Sequence, residues 1–391
     1  MRIGVFSNTY KPVISGVVTS ISLFRRGLME RGHEVFIFAP TCRGYEDDEE
    51  GIFRYPAIDL PESLNSSLAL PFSPRISRLL PTLGLDVIHS HHPLLMGNEA
   101  VRVAHKLEVP LVFTCHSRYE DFSEYVPVGQ LGDPLVKMAI RRLVTDYAKE
   151  CDLVLCPAQH VRRLLEEYGI TRPMEIVPSP VRLDAFAHGE GGWVRQKHGL
   201  GADERVLVYV GRLALEKDIP FLLRAFRRVL AQERRGRLML VGGGPEEKHL
   251  RRLVEELDIA EWVVFAGYVE HALVPDYLAA ADLFVFSSWS ETQGLSLLEA
   301  MAAGLPVVAV RTWATEELLT PGVDSVLVEA DEAAFAAAMV HLLRDEEQRA
   351  ALAQQARRTA QGYSIEACAE KLEQAYERAR RQMMKDESGN R

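Results

Sequence analysis

Ser290-Glu-Thr-Gln-Gly-Leu-Ser-Leu-Leu-Glu-Ala-Met-Ala-Ala-Gly304 follows the apolar run Asp282-Leu-Phe-Val-Phe-Ser287 and precedes Pro306-Val-Val-Ala-Val310. A short apolar run, a polar loop, a helix-forming segment closed by glycine and a second apolar run describe one β-α-β unit of a parallel sheet. Glu291 then lies in the loop at the carboxyl end of a strand, where open α/β sheets bind ligands. Glu299 lies about one turn into the helix. A carboxylate offers acceptor oxygens and no donor, which suits a vicinal diol such as a ribose or a hexose edge. The backbone N–H groups of Gly294 and Leu295, at the helix start, can meet a phosphate between two such sugars. Thr292 and Gln293 complete this loop as donor-binding candidates. The pattern fits a nucleotide-sugar.

Outward from that stretch, apolar runs alternate with helical-period segments twice over, the pattern of two parallel sheets with crossover helices. The first half carries candidate strands at 2–6, 34–38, 86–89, 111–114, 153–155 and 175–177, with helices near 17–30, 97–107, 134–148 and 159–168. The second restarts at Val206-Leu-Val-Tyr-Val-Gly211, with strands near 237–241, 262–265, 282–286, 306–310 and 325–328. The glycine-rich Ala187-His-Gly-Glu-Gly-Gly-Trp193 reads as the linker. It divides the chain into domains 1–185 and 186–363, with a last helix at about 364–384. The acidic run Glu46-Asp-Asp-Glu-Glu50 reads as a solvated loop tip.

With 391 residues and 47% hydrophobic content, two cores are affordable, and a net charge of -10 argues against a nucleic-acid binder. Cysteines 42, 115, 151, 156 and 368 make no CxxC pair and read as reduced thiols of a cytoplasmic protein. Arg2-Ile-Gly-Val-Phe reads as a buried strand, not a signal peptide, and no apolar stretch approaches about 18 residues. Any membrane contact is expected to be peripheral.

The paired glutamates, the glycine after the first, and the tail Leu298-Glu-Ala-Met-Ala-Ala-Gly-Leu-Pro-Val-Val308 resemble the signature of retaining glycosyltransferases of family 4. The resemblance implies the α/β GT-B fold, two Rossmann-like domains facing each other across a cleft, with the last helix packed back on the first. Departure of a nucleoside diphosphate leaves charge on the β-phosphate, which a metal or fixed cations must stabilise. No Asp-x-Asp motif of the metal-dependent GT-A type follows a strand, so no metal or other cofactor is expected. Val210-Gly-Arg-Leu-Ala-Leu-Glu-Lys217 matches the family's Gly-Arg and Glu-Lys pair, and Arg212 and Lys217 would clamp the diphosphate. With Glu291 and His116 they form the expected catalytic set.

His116, in Val112-Phe-Thr-Cys-His-Ser-Arg-Tyr-Glu-Asp-Phe122, resembles the family histidine aimed at the donor sugar; a core histidine is the bland alternative. Gly16, in Pro12-Val-Ile-Ser-Gly-Val-Val-Thr19, would let backbone approach the diphosphate. Resemblance places the nucleobase against Gly267-Tyr-Val-Glu-His271, with backbone contacts at Val269. Uracil and guanine are not separated by these residues, and UDP is favoured by resemblance. His89, His91 and His92 form a second group in which no carboxylate or cysteine completes a metal set. His91 and Tyr119 are assigned to the acceptor side.

The amino-terminal half is similar to bacterial glucosyltransferases that make monoglycosyl-diacylglycerol, through Gly32-His-Glu-Val35, Val87-Ile-His-Ser-His91 and Cys115-His-Ser-Arg-Tyr-Glu-Asp-Phe122. That likeness implies a lipid acceptor and an anionic membrane partner, at the inner face of the cell membrane. Where relatives read Pro-Thr-Gly-Ile-Asp or Pro-Asn-Gly-Val-Asp, this chain has Pro178-Ser-Pro-Val-Arg182, which leaves the choice of sugar open. Leu68-Ala-Leu-Pro-Phe-Ser-Pro-Arg-Ile-Ser-Arg-Leu-Leu80 mixes apolar residues with Arg75 and Arg78, as an interfacial loop would. Lys137, Arg141, Arg162 and Arg163 would extend a basic patch, and solvated helix faces are the plain alternative. Three further readings stay open: a soluble acceptor, a UDP-sugar 2-epimerase that needs no acceptor, and a donor-binding module without turnover.

Overall fold

The apolar runs become strands of two all-parallel sheets. Parallel strands are covered by helices on both faces, which is why they read as unbroken hydrophobic stretches. The computed structural model describes residues 1–59, 67–120 and 133–389. The chain divides into two compact units, Met1–Pro180 with Ile365–Arg391, and Val181–Ser364.

In the first unit the strands are β1 (Arg2–Phe6), β2 (Glu34–Pro40), β3 (Ile52–Tyr55), the hairpin β4 (Ala57–Asp59) and β5 (Ser67–Ala69), β6 (Val87–Ser90), β7 (Leu111–Thr114), β8 (Leu153–Cys156) and β9 (Met174–Ile176). Its main sheet, among the described residues, runs β3-β2-β1-β6-β7-β8-β9. The second unit contributes β10 (Arg205–Val210), β11 (Gly236–Val241), β12 (Val263–Gly267), β13 (Leu283–Phe286), β14 (Val307–Val310) and β15 (Ser325–Val328), in the order β12-β11-β10-β13-β14-β15. Both orders contain the doubly wound 3-2-1-4-5-6 arrangement, which is the pair of Rossmann-like units that the GT-B expectation calls for. Strand order reverses between β1 and β6 and between β10 and β13. These switch points are where such sheets open a crevice at their carboxyl ends.

The C-terminal helix Ile365–Gly389 belongs to the first unit. Tyr376 donates or accepts a 2.7 Å hydrogen bond with His89 Nδ1 of β6, and Glu373 meets both Arg31 and His33. Arg380 pairs with Asp86 at 2.9 Å.

Four sequence expectations give way here. The first unit ends at Pro180, and the glycines expected in a linker lie inside the second unit. Two of them serve close packing: a Cβ on Gly189 would sit 2.2 Å from Pro275 O, and one on Gly191 2.4 Å from Ala280 N. The acidic run is folded back rather than free. Asp47 forks onto Arg54 at 2.6 and 2.8 Å, and Glu49 accepts from Tyr10, Lys11 and Arg25, while 46, 48 and 50 face solvent. Residues 68–80 are only partly a loop: the end of β5 leads through a short connection at 70–73 into a helix, Pro74–Leu79, capped by Ser73 Oγ on Ile76 N. The basic patch is partly charge-balanced: of its four cations, Arg141 pairs with Glu120 and Arg162 with Glu166.

Candidate active site

At the switch point of the second sheet, two loops are stitched together by hydrogen bonds. The loop after β10 carries Arg212 and ends in a tight turn at Leu215–Lys217. The loop after β13 carries Ser287 to Gly294. Ser287 Oγ donates to Lys217 O at 2.7 Å, Ser288 Oγ to Glu216 O at 3.1 Å, and Trp289 N to Glu216 O at 3.1 Å. These bonds fix the backbone that carries Lys217 beside the backbone that carries Glu291.

The side chains then meet: Lys217 Nζ lies 2.7 Å from Glu291 Oε1, with 16% and 15% of each side chain exposed. Arg212 Nη2 lies 2.8 Å from Glu216 Oε1 and is more open. The expected cationic clamp is therefore already occupied, two cations against two carboxylates. An incoming diphosphate would exchange partners with those acids instead of entering a field of unbalanced positive charge.

Gly294 adopts φ 80° and ψ 60° at the N-cap of the helix Leu295–Ala303. Only glycine takes that backbone conformation without strain, and lacking a side chain it caps none of the first N–H groups. Gln293 and Gly294 are buried and Thr292 is half-buried, so the loop is shaped into the unit. Leu295, first residue of the helix, packs against the hydrophobic core of the unit.

Glu299, 8% exposed, does not stand alone on this helix. Its Oε1 accepts a 2.7 Å hydrogen bond from His271 Nε2, and the ring of Phe186 meets the imidazole edge-on at 6.2 Å. Val269, two residues earlier in the same loop after β12, packs against the core. Sequence reading put His271 in the nucleobase loop and gave it no partner. No spacing rule connects a loop histidine to a helical glutamate 28 positions away.

The first unit has its own switch point. Ser15 caps the helix Gly16–Glu30 by accepting from Val18 N, which puts Gly16 at the first helical position after the loop from β1. The loop after β6 is tied to the β1 loop by Asn8, whose N donates to His92 Nδ1 at 3.2 Å and whose Oδ1 accepts from Met96 N at 3.0 Å. His91 Nδ1 and His116 Nε2 share a 2.6 Å hydrogen bond with their rings stacked at 4.9 Å. His89 uses both nitrogens, on Tyr376 Oη and on Thr114 Oγ1.

Burial disfavours charge throughout this group. It pushes His89 and His116 down to about 3 and His92 to about 4, and with the neighbouring histidines it carries His91 well below its usual value. The cluster is neutral at pH 7, and a neutral ring holds one proton, so the His91–His116 bond couples the tautomers of both. Tyr119 packs against the core of this unit, and burial drives its phenol well above the usual range. Among the described residues, no three His, Cys, Asp or Glu side chains gather as a metal-ligand set.

The second half of the chain, residues 194–359, matches the family described as Glycosyl transferases group 1, and residues 14–185 match Glycosyltransferase Family 4. The alpha-monoglucosyldiacylglycerol synthase of Streptococcus pneumoniae is 33% identical over 79% of this chain and 71% of its own. The enzyme of the same name from Acholeplasma laidlawii is 29% identical over 96% of both. A D-inositol 3-phosphate glycosyltransferase of Geodermatophilus obscurus is 33% identical over 76% of this chain and 67% of its own. Among solved structures, Anabaena Alr3699/HepE in complex with UDP superposes with a TM-score of 0.76 over 96% of this chain and 99% of that one, at 18% identity.

Proposed function

The chain belongs to glycosyltransferase family 4, and from that premise we propose that it moves a hexose from a UDP-sugar to a diacylglycerol-type lipid, retaining the anomeric configuration without a metal ion. The observation that carries this reading is the Lys217–Glu291 pair, 2.7 Å apart at the switch point of the second sheet. The diphosphate takes Lys217 and Arg212 from their carboxylates, and Glu291 turns its acceptor oxygens to the hexose hydroxyls. The acceptor hydroxyl then attacks the anomeric carbon on the face the diphosphate leaves. As the new C–O bond forms, the bond to the β-phosphate oxygen breaks, and that oxygen takes the acceptor's proton. Arg212, Lys217 and the N–H groups of Gly294 and Leu295 stabilise the charge that develops. Glu299 holds the ribose and Val269 the base. To the first unit the proposal assigns Gly16 for close approach to phosphate, His116 for the donor sugar, and His91 and Tyr119 for the acceptor.

The lipid acceptor is supported by the names of the synthase relatives and by one exposed surface of the first unit. Ile58 and Leu68 face each other across the β4–β5 hairpin, and Leu70 and Phe72 follow, all exposed, with Phe72 at 73%. Arg75 and Arg78 are exposed on the helix that comes next. Apolar side chains flanked by cations suit the boundary between acyl chains and anionic headgroups. Among the described residues no helix is long and apolar enough to cross a membrane. The proposal puts the enzyme at the cytoplasmic face as a peripheral protein, on the strength of that exposed surface. A soluble acceptor is the second reading, favoured by the inositol phosphate relatives.

The test is a panel of UDP- and GDP-sugars offered with diacylglycerol in mixed micelles, with D-inositol 3-phosphate, and with no acceptor. NMR of the product reads its anomeric form, and parallel reactions contain EDTA. An α-hexosyl lipid from a UDP-α-sugar, formed with EDTA present, supports the proposal. Turnover confined to the soluble acceptor, an inverted product, or loss of activity in EDTA overturns the corresponding part.

A further inference from the structure

We propose that His271 is a positioning residue that fixes the carboxylate of Glu299 so that one oxygen, Oε2, is presented to the nucleotide ribose. The inference rests on the reading above that Glu299 receives the ribose. Glu299 projects from the first turns of the helix Leu295–Ala303, and its Oε1 is held at 2.7 Å by His271 Nε2. Among the described residues, Oε2 accepts no hydrogen bond. A free carboxylate at the end of two rotatable carbons can turn either oxygen, or both, toward a diol. Here one oxygen is already claimed, and the imidazole that claims it is itself steadied by the Phe186 ring at its edge. An ionised carboxylate only accepts, so the shared proton lies on His271 Nε2.

Two consequences separate this role from a plain surface ion pair. Recognition of the two ribose hydroxyls should be unequal, because a single oriented oxygen addresses one of them best. The side chain should also be replaceable by glutamine, whose amide can supply an N–H near the position of the imidazole Nε2, but not by an apolar residue. The bond lets Glu299 select the ribose without losing rotamer entropy when the nucleotide arrives, which is how preorganisation improves binding.

The experiment is calorimetric binding of UDP, 2′-deoxy-UDP and 3′-deoxy-UDP to the full-length protein. It is run on wild type, His271→Ala, His271→Leu, His271→Gln, Glu299→Gln and the double variant His271→Ala/Glu299→Gln, each checked for an unchanged melting profile. In wild type, loss of one of the two hydroxyls should weaken binding about tenfold and loss of the other much less. His271→Ala and His271→Leu should each weaken UDP about tenfold and erase most of that inequality, while His271→Gln restores it. The double variant should bind no worse than Glu299→Gln alone. If Glu299→Gln removes the discrimination while both apolar His271 variants keep it, the positioning role falls and the ribose reading stands. If wild type or Glu299→Gln shows that Glu299 has no part in telling UDP from its deoxy forms, the ribose reading falls and this inference with it.

Discussion

Replacing Lys217 by methionine keeps most of the unbranched side chain and removes its terminal ammonium, with its charge and hydrogen bonds. At its present place Nζ lies 2.7 Å from Glu291 Oε1, with about five-sixths of each side chain withdrawn from water. Two costs follow, and they are separable. Glu291 loses its counter-ion, and a lost hydrogen bond to a charged group costs about 2 kcal/mol. For a unit of this size that shifts its melting transition by about 4–8 °C. The leaving diphosphate also loses a cation that acts where charge develops, a loss worth about 10²–10³ in kcat. Adding Glu291→Gln to Lys217→Met removes the charge that Lys217 balanced and should recover most of the melting temperature, but none of the rate. Melting curves and initial rates of UDP release on the two single variants and the double would decide it. Recovery of kcat alongside stability, or a Lys217→Met enzyme within about threefold of wild-type kcat, refutes the assignment of Lys217 to the leaving group.

Arg212 is more open and already bonded to Glu216, so Arg212→Ala should lower kcat by about 10–10² with little change in melting temperature; an undiminished kcat would remove it from the reaction. Acidification should unfold the first unit early: the buried histidines stay neutral when folded, near 3 for His89 and His116 and near 4 for His92, but bind protons once unfolded below about pH 6.5. Stability is then full above pH 6.5 and falls by up to about 1.4 kcal/mol per pH unit for each histidine as pH drops toward 4, and a urea midpoint that stays flat from pH 6.5 to 4.5 would contradict their burial. Phe72→Glu should weaken co-sedimentation with vesicles containing anionic lipid by at least about tenfold while leaving activity on detergent-dispersed acceptor intact, whereas unchanged sedimentation removes the hairpin from the membrane contact.

Much of the fold could be read from residues 282–310 because parallel strands, covered on both faces, leave no polar alternation to confuse their apolar runs. β3 escaped for the converse reason: at the sheet edge it is four residues long and carries Arg54. Gly189 and Gly191 misled because a glycine that admits a neighbouring backbone and one that lends flexibility look the same in sequence. Lys217 and Glu291 were both singled out from motifs, yet their direct ion pair was not foreseen. The spacing of a motif says which loop a charge occupies, and only the folded loops reveal that each cation is already paired with an acid.

That pairing changes the physical account of donor capture. Two unbalanced cations would attract any anion, free phosphate included, and would repel each other across a short loop. With Glu216 and Glu291 in place, a ligand must offer more than charge to displace them. In the proposed function a diphosphate would replace both carboxylates at once, and an attached sugar would give the released Glu291 hydroxyls to accept from. Inorganic phosphate would offer Glu291 no such exchange for its Lys217 partner, a costly loss for a side chain this buried. On the proposed reading, selectivity for a nucleotide-sugar over bare anions would follow from the acids beside the cations as much as from the cations themselves.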